Sequence, residues 1–215
     1  MQNIIAPSVF GADLGNLKEQ LTILEQNNIQ WLHVDVMDGH FVEKMAFGPD
    51  HIRMLKKMTS LKLDVHLMVE KPERILDAVI DAGADMVTVH QESTARLASC
   101  IERIKKNNKK AGVVLSPATD ENSLKYVLDQ IDMILLMTIN PGEAGQSFHP
   151  SMLDKIRQTR ELCGARDIQI EVDGGIDNTN IALCQKAGAN VFVSGGFIFR
   201  GDIAQNIAAL NEQLN

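Results

Sequence analysis

A (β/α)8 TIM barrel, eight parallel strands each followed by a helix, is the fold class predicted by this 215-residue sequence. Three observations carry that α/β assignment. Short β-branched or aliphatic runs alternate with amphipathic stretches along the whole chain, which implies a parallel sheet covered by helices. Eight such repeats leave about 27 residues each, enough for a compact βα module. The turn after the first strand, Pro7-Ser8-Val9-Phe10-Gly11-Ala12-Asp13, lacks the G-x-G-x-x-G pattern of an open dinucleotide-binding sheet.

The strands are expected near 3–9, 31–37, 62–68, 86–90, 111–116, 133–138, 168–173 and 190–194. Between them, Leu14, Leu17, Leu21 and Leu24 recur at helical spacing, as do Ile75, Leu76, Val79 and Ile80. Leu97, Ile101 and Ile104 mark a further helix. Ala82-Gly83-Ala84 and Ala187-Gly188-Ala189 read as matching helix stops before the fourth and eighth strands. No linker or composition break divides the chain, so a single domain over 1–215 is expected. Hydrophobic residues at 45% favour a packed core over disorder, and the net charge of -7 argues against a nucleic-acid partner. No run approaches the ~18 apolar residues of a spanning helix, and no basic-led apolar segment opens the chain. No membrane partner is expected. Cys100, Cys163 and Cys184, scattered and odd in number, suit free thiols in a reducing cytoplasm.

Three strands carry the chemistry. In the second, His33, Asp35 and Met37 share one face while Leu32, Val34 and Val36 share the other. The third repeats this with Asp64, His66 and Met68 against Leu63, Val65 and Leu67. The seventh ends Ile170-Glu171-Val172-Asp173-Gly174-Gly175. Barrel chemistry gathers at C-terminal strand ends, where His33, Asp35, His66 and Asp173 all fall. Two imidazoles and two carboxylates suit a divalent cation such as Zn2+, Mn2+ or Fe2+. The plainer alternative is a pair of hydrogen-bonded interior histidines. Asp35 and Asp173 are also expected to act as paired proton-transfer groups on opposite faces of a substrate. Glu171, one layer deeper, is expected to be structural and satisfied by a polar neighbour. Asp64, a layer below His66, is expected to support a ligand rather than be one. Asp38 should turn the chain at Asp38-Gly39, and His90 should face the mouth. His40, His51 and His149 belong to loops or the surface, and Lys105, Lys106, Lys109 and Lys110 to a solvated helix end.

Glycine clusters follow the last three core strands: Asn140-Pro141-Gly142-Glu143-Ala144-Gly145-Gln146, Asp173-Gly174-Gly175-Ile176 and Ser194-Gly195-Gly196. Their N–H groups can approach an anion closely, and the late loops of a barrel are its common phosphate site. Arg200 is either near that anion or a solvated charge. Met37, Met68 and Met137 pack the core or, at a barrel mouth, line the pocket and exclude water.

These residues resemble a known family. Ala6-Pro7-Ser8, His33-Val34-Asp35-Val36-Met37-Asp38-Gly39, Asp64-Val65-His66-Leu67-Met68, Asn140-Pro141-Gly142, Gly145-Gln146-Ser147-Phe148 and Glu171-Val172-Asp173-Gly174-Gly175 are similar to motifs of the ribulose-phosphate 3-epimerase family, in order and from first strand to last. The resemblance implies a ribulose-phosphate-binding barrel that inverts C3 of a ketose phosphate by two-base proton transfer through a cis-enediolate. It implies His33, Asp35, His66 and Asp173 as ligands of one divalent metal ion (Zn2+, Fe2+, Mn2+ or Co2+), with Asp35 and Asp173 as the acid/base pair. Ser8 would contact substrate, Met37, Met68 and Met137 would cap it, and Gly142, Gly145, Gly175, Gly195 and Gly196 would lie in the phosphate loops.

The departures from the family pattern bear on substrate. Glu43-Lys44 stands where Pro-Asn is usual, Glu143-Ala144 replaces an aromatic and a glycine, Gly195-Gly196 replaces Gly-Ser or Gly-Thr, and Ser116 replaces an asparagine. D-allulose 6-phosphate therefore stands beside D-ribulose 5-phosphate and D-xylulose 5-phosphate as a substrate. A lyase on a related barrel would need an active-site lysine, yet Lys62 starts its strand too early to reach the mouth. A non-catalytic sugar-phosphate binder should have lost one of the four central residues. The barrel helices leave a homo-oligomer open.

Overall fold

The computed structural model describes residues 1–143 and 145–214. Its strands are β1 (Ile4–Pro7), β2 (Trp31–Asp38), β3 (Met45–Ala46), β4 (Lys62–Met68), β5 (Met86–His90), β6 (Lys110–Leu115), β7 (Met133–Met137), β8 (Gln169–Asp173) and β9 (Val191–Ser194). Apart from β3, neighbouring strands pair in parallel in the order β1-β9-β8-β7-β6-β5-β4-β2. A single parallel bridge, Ser8 to His33, closes the ring between β1 and β2. The result is the expected barrel.

Every core strand lies close to its expected position because β-branched and aliphatic residues suit a sheet covered on both faces. The outward residues Leu32, Val34, Leu63, Val65 and Leu67 are fully buried beneath the helices. Each contributes about 1.5–3 kcal/mol by leaving water. Inside the ring, Trp31, Met86, Met133 and Val191 pack together as an apolar floor. Gly112 of β6 keeps this interior narrow, since a Cβ there would meet Thr88 Cγ2 at 2.7 Å.

Two expectations need correction, and one strand is additional. The first helix, Leu17–Gln26, starts after Leu14, which sits in a 3-10 turn and is 62% exposed. Asp13 caps that turn by accepting from Gly15 N–H at 2.9 Å, so the chain changes direction before the helix begins. Strand β6 is followed by two 3-10 turns, Glu121–Leu124 and Leu128–Gln130, in place of a helix. Local side-chain bonding competes with helix there, as Asp120 accepts from Asn122 N–H at 2.8 Å. The short β3 was not anticipated. It pairs antiparallel with the end of β2, matching Met37 to Ala46 and Asp38 to Met45. Two residues are too few to show an alternating pattern.

Candidate active site

Strand register assembles the centre. Across β2 and β4, His33 stands opposite Asp64, Asp35 opposite His66 and Met37 opposite Met68. On the other side of the ring, β7 and β8 place Met137 opposite Asp173. His33 Nε2 lies 3.4 Å from Asp35 Oδ1 and 3.9 Å from Asp173 Oδ2. His66 Nδ1 lies 3.3 Å and 3.8 Å from the same two oxygens. One ligand atom from each of the four residues falls within 4.8 Å of all the others. Asp173 ends β8, whereas His33 and Asp35 lie inside β2 and His66 inside β4.

Both imidazoles are wholly buried, and His33 Nε2 has no hydrogen-bond partner. Its other nitrogen meets Asp64 Oδ2 at 2.7 Å. With the ring neutral, that carboxylate holds the proton on Nδ1 and turns the Nε2 lone pair toward the two aspartates. A bare nitrogen facing two carboxylates, beside a second imidazole, is a donor set that fits a divalent cation. Asp64 therefore supports His33, not His66.

The two central carboxyls are tuned in opposite directions. Burial works against ionisation of Asp35, but His33 and His66 beside it hold its pKa well below the usual carboxylate range. Ser8 adds to this by donating its hydroxyl to Asp35 Oδ2 at 2.5 Å. Asp173 is raised to about 7, by burial first and then by the nearby charge of Asp35. Burial also disfavours a charged His33, yet Asp35 and Asp64 outweigh it and lift that imidazole well above its ordinary value. Two carboxyls of opposite acidity thus share one centre.

Above the centre opens a cavity of about 940 Å3. Asp35 and Asp173 reach it, whereas His33 and His66 lie beneath its wall. Ser8, Met37, Met68 and Met137 line it, as do the five glycines of the late loops, Gly142, Gly145, Gly175, Gly195 and Gly196. Gly175 has φ +66 and would press a Cβ to within 2.9 Å of Phe148 N, so this close approach of two loops requires glycine. Gln146 ties its own loop together, donating to Asn140 O at 3.0 Å and Glu143 O at 3.2 Å. Ala144 lies outside the described residues.

Several expectations change here. Glu171 is fully buried with neither carboxyl oxygen hydrogen-bonded, so the polar neighbour expected to satisfy it does not do so. Its Oε1 stays 3.5 Å from His33 Nδ1, which Asp64 already occupies. Burial and the Asp64 charge push Glu171 well above the usual carboxylate range. His90 does not face the mouth: it is fully buried behind His66. Asp38 turns the chain as expected, accepting from the N–H groups of His40, Phe41 and Glu70. Arg200 does border the cavity, and is the sole lysine or arginine among the described residues that do.

The cavity has walls that residue-by-residue reading missed, notably Phe10, Ile139, Phe148 and Phe197. A large apolar residue beside each glycine cluster or the first turn was the available signal. Thr138 was missed too. Its hydroxyl donates to Gly174 O at 2.5 Å and anchors the turn after Asp173.

Solved structures place the fold among α/β barrels. A 3-keto-L-gulonate-6-phosphate decarboxylase from Vibrio cholerae superposes with a TM-score of 0.77 over 100% of this chain and 98% of its own, at 19% identity. A 3-hexulose-6-phosphate synthase from Salmonella typhimurium gives 0.74 over 98% of each chain, at 18% identity. The sequence then narrows the class: residues 4–199 match the ribulose-phosphate 3 epimerase family, and the chain belongs to it. A ribulose-phosphate 3-epimerase of Bacillus subtilis is 41% identical over 91% of this chain and 91% of its own. The corresponding enzyme of Escherichia coli K12 is 41% identical over 92% and 89%, and a chloroplastic one of Arabidopsis thaliana 43% over 91% and 71%. The chain is accordingly an epimerase, an enzyme of the isomerase class. No helix among the described residues is long and apolar enough to cross a membrane.

Proposed function

We propose that this chain inverts C3 of a ketose phosphate, with the D-ribulose 5-phosphate/D-xylulose 5-phosphate pair as its substrates. The observation that carries the reading is the gathering of Asp35 and Asp173 around one pair of buried imidazoles, within reach of a single cation. Asp35, ionised and held by Ser8, takes the C3 proton. Asp173, across the centre from Asp35, delivers a proton to the opposite face, and the roles reverse for the other epimer. His33, Asp35, His66 and Asp173 would hold one divalent ion (Zn2+, Fe2+, Mn2+ or Co2+), which supplies positive charge where the substrate oxygens become negative. Met37, Met68 and Met137 exclude water from the reacting carbon. The late loops, through the N–H groups of Gly142, Gly145, Gly175, Gly195 and Gly196, receive the phosphate.

Glu143 favours one second reading, the same chemistry on D-allulose 6-phosphate. It borders the cavity beside the phosphate loops and puts a negative charge near the substrate's end. Lys62 borders a separate cavity at the barrel floor with Trp31 and Met86, which argues against a lysine-dependent lyase. All four central residues are present, which argues against a non-catalytic binder. Three buried free cysteines fit a cytoplasmic setting.

Incubating the metal-loaded protein with a panel of ketose phosphates in D2O, followed at C3 by NMR, tests this. Deuterium at C3 with formation of the epimer is expected, fastest for D-ribulose 5-phosphate. A silent panel, with metal content unchanged in a His66→Ala/Asp173→Ala variant, would overturn both reaction and site.

A further inference from the structure

His66 is held from behind by two residues to which the reaction assigns no part. Its Nδ1 faces Asp35 and Asp173, while its Nε2 meets Nε2 of His90 at 2.9 Å. Two ring nitrogens this close need one donor and one acceptor. The other nitrogen of His90, Nδ1, lies 3.1 Å from Glu92 Oε2. A carboxylate only accepts, so Nδ1 of His90 carries the proton and its Nε2 presents a lone pair. His66 must then donate Nε2–H. Its Nδ1 then offers a lone pair to the centre, where it lies 3.3 Å from Asp35 Oδ1, a longer and weaker contact than the 2.9 Å and 3.1 Å ones behind it.

The chain of assignment starts at Glu92, and Glu92 is firmly anchored. Its Oε1 accepts from Ser116 N–H at 2.8 Å and from the Thr119 hydroxyl. The carbonyl of Ser116 in turn receives Lys155 Nζ at 2.8 Å. His90 is fully buried, with its ring stacked on His66 at 5.0 Å between centroids and covered by Phe41 at 4.7 Å. Neither ring can turn over without losing these contacts. Packing alone would not need a buried imidazole ordered at both nitrogens, and an apolar ring would fill the space without two polar atoms to satisfy. His33 has its carboxylate, Asp64, in direct contact. His66 receives the same direction at one remove.

We infer that His90 and Glu92 are positioning residues that fix the tautomer of His66 and thereby set the affinity of the centre for a divalent ion. The inference rests on the preceding reading that His66 takes such an ion. Two readouts keep the two ideas apart: the His66 tautomer in metal-free protein labelled with 15N-histidine, and Zn2+ affinity by competition with a chromophoric chelator. Wild type should show His66 with the proton on Nε2 alone. His90→Phe and Glu92→Ala should show mixed tautomers and bind Zn2+ about 10–100-fold more weakly, the range typical of partners that orient a metal-bound histidine. His90→Gln, whose amide oxygen can accept from His66 Nε2–H, should recover most of both signals. A purely structural role would not be rescued in this way.

An unchanged tautomer and a Zn2+ affinity within twofold of wild type, in folded His90→Phe and Glu92→Ala alike, would overturn the inference. Should His90→Phe fail to fold, the partly exposed Glu92→Ala and the polar His90→Gln decide it. A wild-type protein that binds no Zn2+ would overturn the metal reading instead, and the tautomer spectra alone would then decide for or against His90 and Glu92.

Discussion

Ser8 donates its hydroxyl to Asp35 Oδ2 at 2.5 Å, joining the end of the first strand to the centre of the second. The bond does two things. A hydrogen bond to the carboxylate favours its ionised form, and with Oδ2 held by Ser8 it is Oδ1 that faces His33 and His66. Ser8→Ala should lower kcat/KM by about 10–100-fold, the equivalent of about 1.5–3 kcal/mol for a hydrogen bond to a charged group. Steady-state kinetics with a circular-dichroism control for folding would check it. An unchanged kcat/KM would remove Ser8 from the site.

The two aspartates predict separable defects. Asp35→Asn and Asp173→Asn should each lose about 10²–10⁴-fold in epimerisation, as expected for a removed proton-transfer group. Asp173→Asn should still exchange the C3 proton of the epimer that Asp35 serves, because abstraction and return can occur on one face. Asp35→Asn should keep exchange only in the other epimer. Solvent deuterium incorporation, followed for each epimer separately, reads this out. Equal exchange from both epimers in either variant would contradict a two-base arrangement.

Divalent-ion binding should weaken as pH falls. Asp173 is raised to about 7 and His33 lies well above its ordinary value, so both carry protons that must leave before they can act as ligands. Affinity should therefore drop steeply below neutrality and level off at higher pH. Calorimetry in two buffers of different ionisation enthalpy should register proton release on Zn2+ binding. A pH-independent affinity between about 6 and 8 would go against the tuning of this centre.

Stability should carry an acid-side signature at the opposite end of the barrel. Asp132 resists ionisation through burial, but Lys105, Ala111 N–H and Lys110 outweigh this and hold its pKa below the usual value. A depressed folded-state pKa gives stability that is present above the unfolded value and lost as pH falls through the folded one. Asp132→Asn should thus cost about 1 kcal/mol at neutral pH, modest because its lysines are exposed. That gap should close below about pH 4. Urea unfolding of both proteins at several pH values measures the difference, and a gap that widens on acidification would reverse the sign.

The barrel was legible because eight strands that are buried on both faces leave dense β-branched runs, and a period of two then put His33 with Asp35, and likewise His66 and Asp173, on inward faces of their strands. What escaped was local or cooperative. The two-residue strand Met45–Ala46 leaves no periodic trace. The 3-10 turns after β6 follow from capping by Asp120, which short-range bonding decides and hydrophobic spacing does not. Asp64 was read along its own strand as lying below His66. Its partner is across the sheet, where register pairs it with His33. Glu171 shows the same limit. One strand reveals that a carboxyl points inward, but its surroundings are set by strands far away in sequence.

The seam between the first two strands has a consequence for synthesis. Strand β1 pairs along its length with β9, near the other end of the chain, whereas the backbone pairing between its end and β2 is the isolated Ser8–His33 bridge. A growing chain therefore makes its first strand long before that strand's main hydrogen-bonded neighbour exists, and such sequence-distant pairing forms late. With β9 in place, Ser8 is held at the end of a paired strand, against Asp35. A product of stalled translation would carry the aspartates and histidines yet lack the serine's hold on them, so competence arrives with the last strand rather than accumulating along the way.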